Sequence, residues 1–290
     1  MRRSPSRSLL ALVPLSLVGL TACGSDDTTS GRPTVVTTTA ILGAVVSDVV
    51  GDAAEVVVLV PNGVDPHDWE PSAQDIESLN QADLVVANGL DLEEKLVEAL
   101  DSAESSGAPV FHATDHIEPL EGDPHFWTDP LAMAAVVAAL GDELAAVGVD
   151  VSDRVDRVIT DLKDVDGVIT QLLSSLPEDR RVLVTGHDSL GYFAEHFGFT
   201  LVGSIIPSLS SAADVTAQNL SELKAAIDET GAPVIFTELG TPTDVADALA
   251  DETGTRVVEL ATHLVPDDNL YRSFLLNLAS DIVAALSATS

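Results

Sequence analysis

The chain has 290 residues, with 47 acidic against 13 basic side chains and a formal charge of −34 at neutral pH. A field of that sign excludes nucleic acid as a partner, because phosphate binding needs a basic footprint. The hydrophobic content of 46% is enough for a real core, while the single cysteine excludes disulfides.

Taken in chain order, the first segment reads as an export signal. Arg2, Arg3 and Arg7 precede an apolar run from Leu9 to Leu20, and Leu20-Thr21-Ala22 leads into Cys23. That layout is a cleaved signal peptide over 1–22, too short for a permanent span, with Cys23 at the position that becomes lipidated in a bacterial lipoprotein. A polar tether over 23–32 follows. With the signal removed the charge moves to about −37, since it carries three arginines and no acid. With Cys23 committed to the anchor, a metal would have to be held by His, Asp or Glu.

Beyond the tether, short β-branched runs alternate with amphipathic helical stretches, the pattern of an α/β fold. Strands are expected at 34–39, 55–60, 83–87 and 109–112, then at 181–185, 201–206, 234–237 and 256–260. Several are continuous apolar runs suited to parallel strands buried on both faces. The expectation is two lobes, each a four-stranded, mostly parallel sheet flanked by helices, over 33–150 and 179–290. Between them, after a helix at 131–147, apolar residues from Val155 to Leu176 recur at helical spacing. They predict a linking helix within 151–178, about 37 Å long at 1.5 Å per residue. Gly167 weakens its middle and Pro177 marks its end. A strand, a helix and a glycine at Val35 to Gly51 are echoed at Val182 to Gly198, at a constant offset of 147 residues.

The chemistry concentrates in a repeated pentapeptide. Asp65-Pro66-His67-Asp68-Trp69 and Asp123-Pro124-His125-Phe126-Trp127 contain both tryptophans of the chain, and each presents a histidine on a proline-fixed loop. Trp69 and Trp127 are expected to wall the site. His187 stands at the end of a predicted strand, where open α/β sheets bind ligands. Glu238, at the end of the strand at 234–237, points to the same edge and is a candidate to orient a ligand histidine. Three imidazoles and one carboxylate make a four-coordinate zinc site without thiolates.

Asn62-Gly63-Val64-Asp65-Pro66-His67-Asp68-Trp69-Glu70-Pro71, Asp123 to Pro130, and His187-Asp188 with Tyr192-Phe193 resemble the three ligand motifs of the solute-binding lipoproteins of zinc/manganese ABC importers (cluster A-I). The resemblance covers essentially the whole mature chain. It implies two α/β lobes bridged by one long helix, with the metal in the cleft between them. It also implies an aspartate ligand shortly before a C-terminal tyrosine, which selects Asp268, with Asp267 as alternative, ahead of Tyr271. The implied ligand set is His67, His125, His187 and Asp268, and the cargo is Zn2+, with Mn2+ as the alternative. The chain departs from the family at Lys95, where relatives carry an aromatic, and it lacks their long His-rich loop.

The expected function is capture of the ion outside the cell by a monomer held on the membrane's outer face through its lipid anchor. Delivery would go to an ABC permease served by a separate ATPase. No G-x-x-x-x-G-K-S/T is present, so the chain would not hydrolyse ATP itself. A zinc hydrolase is disfavoured by the lack of H-E-x-x-H and of an acid placed as general base. A surface adhesin with a structural metal is the other rival. His112 and His116 read as surface residues, His196 as a helix-face residue, and His263 as a neighbour of the site.

Overall fold

The computed structural model describes residues 31–288, so the expected signal and Cys23 lie outside the described residues. Four short strands open the fold: β1 (Thr34–Thr37), β2 (Glu55–Val58), β3 (Leu84–Ala87) and β4 (Val110–His112). They pair in the order β2-β1-β3-β4, every pair parallel. The central strands read as unbroken apolar runs because helices cover both faces, and Val35, Val36, Val85 and Val86 are fully buried. The crossovers are α1 (Ala40–Val50), α2 (Ala73–Gln81) and α3 (Val97–Ser105). Thr39 caps α1 through a bond from Leu42 N at 3.3 Å, and Ser72 with Asp75 forms a reciprocal capping box on α2.

Two long helices follow. α4 (Pro130–Ala146) starts with Pro130 in its first turn, and the Asp129 carboxylate accepts from Leu131 N and Ala132 N. α5 (Ser152–Leu173) is the predicted linking helix, unbroken through Gly167. Its buried stripe is Val158, Leu162, Val165, Ile169 and Leu173, spaced by three or four residues. It stops short of Pro177 because Ser174 and Ser175 turn their hydroxyls onto the carbonyls of Gln171 and Leu172. Arg181 then takes up the freed carbonyls of Leu173 and Leu176.

The second half contains β5 (Val182–His187), α6 (Gly191–Phe197), β6 (Thr200–Ile206), α7 (Ala217–Thr230), β7 (Val234–Thr237), α8 (Thr243–Thr253), β8 (Arg256–Glu259) and α9 (Tyr271–Ser287). Its strands are parallel, but the ladder falls into two pairs, β5–β6 and β7–β8, with β5 and β7 side by side. A register shift at Leu183/Val184 interrupts the β5–β6 ladder. The last N–H of β5, on His187, is given to the Glu238 carboxylate. The sequence echo corresponds to β1–α1 and β5–α6, which end on Gly51 and Gly198 at φ of 51° and 70°. One hydrophobic core runs from α1 and β1 through α4 and α5 to α9, so the linking helix is packed along much of its length. Among the described residues no helix is long and apolar enough to cross a membrane.

Candidate metal centre

The first D-P-H loop leaves β2 and is pinned before it reaches the histidine. Asn62 bonds Val265 in both directions, each at 2.8 Å, and Gly63 N donates to His263 O at φ +76°. Asp65 Oδ1 then accepts from His67 N at 3.0 Å. The second loop repeats the device, with Asp123 Oδ1 accepting from His125 N at 2.8 Å. The aspartate of each pentapeptide is therefore the brace of its own histidine. Asn88 Nδ2 holds Pro124 O at 2.9 Å, and Tyr192 Oη donates to Asp123 O at 3.2 Å. His187 needs no loop, because it is the last residue of β5.

These constraints bring His67, His125 and His187 together. His67 Nε2 and His187 Nε2 each stand 3.3 Å from His125 Nε2, and all three side chains are at most 2% exposed. Among the described residues they form a group whose ligand atoms all lie within 4.8 Å of one another. Two nitrogens bound at 2.0–2.1 Å to one tetrahedral ion stand about 3.3–3.4 Å apart, so the spacing fits zinc.

Each ring turns its other nitrogen to a carboxylate: His67 Nδ1 to Glu94 at 3.3 Å, His125 Nδ1 to Asp123 at 2.6 Å, and His187 Nδ1 to Glu238 at 2.8 Å. The Asp123 contact is aligned as a hydrogen bond, while the other two meet off-axis. An imidazole whose Nδ1–H faces a carboxylate has its Nε2 lone pair free for a metal. Burial lowers the pKa of His67, and burial with the two neighbouring rings holds His125 well below the usual histidine range. Burial also pushes Asp123 up to about 6, against the backbone bond from His125 that lowers it. At neutral pH His125 is therefore neutral beside an ionised Asp123.

Glu238 is buried, and its Oε1 also accepts from His187 N at 3.0 Å and Ser189 Oγ at 2.9 Å. Trp127 packs on His125 with ring centres 5.2 Å apart and donates from Nε1 to Thr262 O at 3.0 Å. Trp69 goes elsewhere: it is half-buried in a cluster with Leu79, Val85 and Leu96, because its loop turns toward α2 after Asp68.

Asp268 is not brought to the histidines. It is exposed, and its carboxylate accepts from Leu270 N at 3.1 Å and Ser273 Oγ at 2.6 Å at the start of α9. The Ser273 bond holds it below the usual carboxylate range. The fourth-ligand expectation thus meets a side chain already used as a helix-start acceptor; Asp267 is exposed as well. His263 is buried on the far side of the site, its ring 5.4 Å from that of Trp127. His112 lies near Glu104, and His116 stacks on Phe111.

Sequence reasoning missed Glu94 and the bracing aspartates. The aspartates had a signal, since both pentapeptides begin with one. Glu94 had none, because only the packing of the turn after β3 against the first loop brings residue 94 to residue 67. That turn has a backbone few side chains adopt: Gly89, Leu90 and Asp91 are at φ of 94°, 51° and 55°. Its Lys95 donates to Asp68 O at 2.9 Å and to Asp68 Oδ1 at 2.6 Å, clamping the same loop from outside.

Comparison with known proteins gives a consistent answer. Residues 35–285 match the family described as zinc-uptake complex component A, periplasmic (ZnuA). The chain is 32% identical to the zinc-binding protein TroA of Treponema pallidum (strain Nichols), over 93% of this chain and 95% of TroA. It is 27% identical to the manganese-binding lipoprotein MntA of Halalkalibacterium halodurans, over 81% and 82% of the two chains. The solved structure of the periplasmic zinc-binding protein TroA superposes with a TM-score of 0.79 at 30% identity, covering 89% of this chain and all of that one.

Proposed function

We propose, because this chain belongs to the ZnuA family of periplasmic zinc-uptake components, that it captures one zinc ion outside the cell and delivers it to an ABC importer. The observation that carries the reading is the convergence of three buried Nε2 atoms, each on a ring backed by a carboxylate. Such a site is built to hold a cation: the three rings are buried and their Nε2 atoms converge on one point. His67, His125 and His187 are the proposed ligands, with Asp123, Glu94 and Glu238 fixing their orientation. The ion is cargo, and the chain acts as a non-catalytic carrier.

The remaining parts of the proposal extend the reading of the sequence. The carrier is a monomer tethered through lipidated Cys23 to the outer face of the cell membrane, and it hands the ion to a permease driven by a separate ATPase. Its lobes comprise 33–150 and 179–290, joined by the linking segment 151–178. Manganese is the second reading, favoured by the name of the MntA relative. Calorimetric titration of metal-stripped protein with zinc is the direct test. A single saturable site lost in His125→Ala is expected, and zinc binding left intact in that variant would overturn the assignment.

A further inference from the structure

The two carboxylates that hold His67 are also held from the other half of the molecule. Asp65 uses Oδ1 on His67 N and gives Oδ2 to Ser211 Oγ at 2.6 Å. Glu94 faces His67 Nδ1 with the oxygen that accepts the Ser210 hydroxyl. Ser210 and Ser211 belong to the loop that follows β6, 116 and 146 residues away from those acids in sequence. The same loop is tied to another ligand, because Asp188 N, next to His187, donates to Ser208 O at 2.9 Å. One short loop therefore hangs from the backbone beside His187 and grips both acids that orient His67.

The packing leaves no slack at this seam. Gly240 lies against Asp65 at φ +83°, and a Cβ there would stand 2.5 Å from Asp65 Oδ2 and 2.8 Å from Ser211 Cβ. A side chain at Gly240 would displace Asp65 from Ser211. The contact is thus made by backbone approach and two hydroxyls.

We infer that Ser210 and Ser211 are positioning residues that latch the second half of the fold onto His67, so that retention of the ion and closure of the halves are one event. The inference rests on the capture reading above. With both hydroxyls in place, Asp65 holds the His67 backbone and Glu94 is kept against its ring at 3.3 Å. When the second half withdraws, both acids lose their serine partners and His67 loses its fixed orientation, which releases one of three ligands. The latch acts on escape of the ion rather than on its entry.

The test is the dissociation rate of zinc into excess chelator, by stopped flow, for wild type, Ser210→Ala, and Ser210→Ala with Ser211→Ala. The double variant should release zinc at least about tenfold faster, the range in which partners behind metal ligands act. Its zinc association rate should match wild type and its metal-free unfolding should remain a single cooperative transition, a split that a general loss of structure would not give. Ser210→Thr, which keeps the hydroxyl, should retain the wild-type rate. Unchanged dissociation in the double variant would overturn the latch, while a wild type that binds no zinc would overturn the capture reading instead. Should the double variant fold poorly, Ser210→Ala alone decides, with the same two outcomes.

Discussion

His125 shows how one residue's chemistry is set by its neighbours. It is wholly buried, its Nδ1 is bonded to Asp123, and its Nε2 is 3.3 Å from those of His67 and His187. Because burial lowers its pKa and that of His67, protons compete with a metal at these two rings less well than at a free imidazole. Burial raises Asp123 to about 6, and once protonated it no longer supports the imidazole. Zinc affinity should therefore fall as the pH drops through about 6, as calorimetry from pH 8 to 5 would measure. Asp123→Asn should weaken zinc binding by roughly 10–100-fold at pH 7.5, the usual effect of removing a partner behind a metal ligand. The histidines were legible because D-P-H-x-W occurs twice. Asp268 was selected by spacing alone, and spacing does not reveal that its carboxylate accepts from Leu270 N and Ser273 Oγ. Asp268→Ala should accordingly lower metal-free stability in urea unfolding, because it removes the acceptor of both Leu270 N and Ser273 Oγ. A tenfold loss of zinc affinity in that variant, with stability unchanged, would show that the side chain leaves these two bonds to join the site.

At the scale of elements, α5 repays attention because it touches both halves. Gly167 lies exposed on it, and a Cβ there would meet nothing within 4 Å. Gly167→Ala should raise stability by about 0.5–1 kcal/mol in urea unfolding, since helix interiors disfavour glycine by that much. A second feature ties three helices together. His196 on α6 bonds Asp166 on α5 at 2.6 Å and contacts Asp129, the cap of α4, at 3.2 Å. The Asp129 bond, followed by the Asp166 bond, raises the His196 pKa to about 9. A raised pKa contributes stability that is fully present below the unfolded value of 6.5 and lost as pH rises through about 9. Wild type should thus lose stability between pH 7 and 10, and His196→Gln should flatten that dependence while costing about 2 kcal/mol at pH 6. The elements themselves were largely readable: β7 falls at 234–237 as expected, and the linking helix starts at Ser152. What was not readable was where side chains override the pattern. Ser174 and Ser175 end α5 before Pro177, and the expected four-stranded second sheet divides into β5–β6 and β7–β8, with His187 N bonded to the Glu238 carboxylate.

For the whole molecule, the issue is why a site this small needs a chain this long. The three histidines sit 58 and 62 residues apart in sequence, two on loops beyond the first sheet and one on the last residue of β5. Their Nε2 atoms can keep a 3.3 Å spacing only if both halves are held in register, which the continuous core around α4, α5 and α9 provides. That preorganisation should make the bound ion a stabiliser of the entire fold. At a free zinc level about a hundredfold above the dissociation constant, the gain is about 2.7 kcal/mol, or roughly 5–10 °C in thermal midpoint for a domain of this size. The same geometry discriminates among metals. Manganese favours oxygen ligands and six-fold coordination, and it stands lowest in the Irving–Williams order. Three imidazoles at a tetrahedral spacing offer it neither the oxygens nor the coordination number. Zinc should therefore bind more tightly than manganese by at least about an order of magnitude, and it should give the larger rise in midpoint at equal free concentration. Competition calorimetry on metal-stripped protein measures the ratio directly. Equal or tighter manganese binding would mean that oxygen ligands from outside the three histidines dominate the bound state.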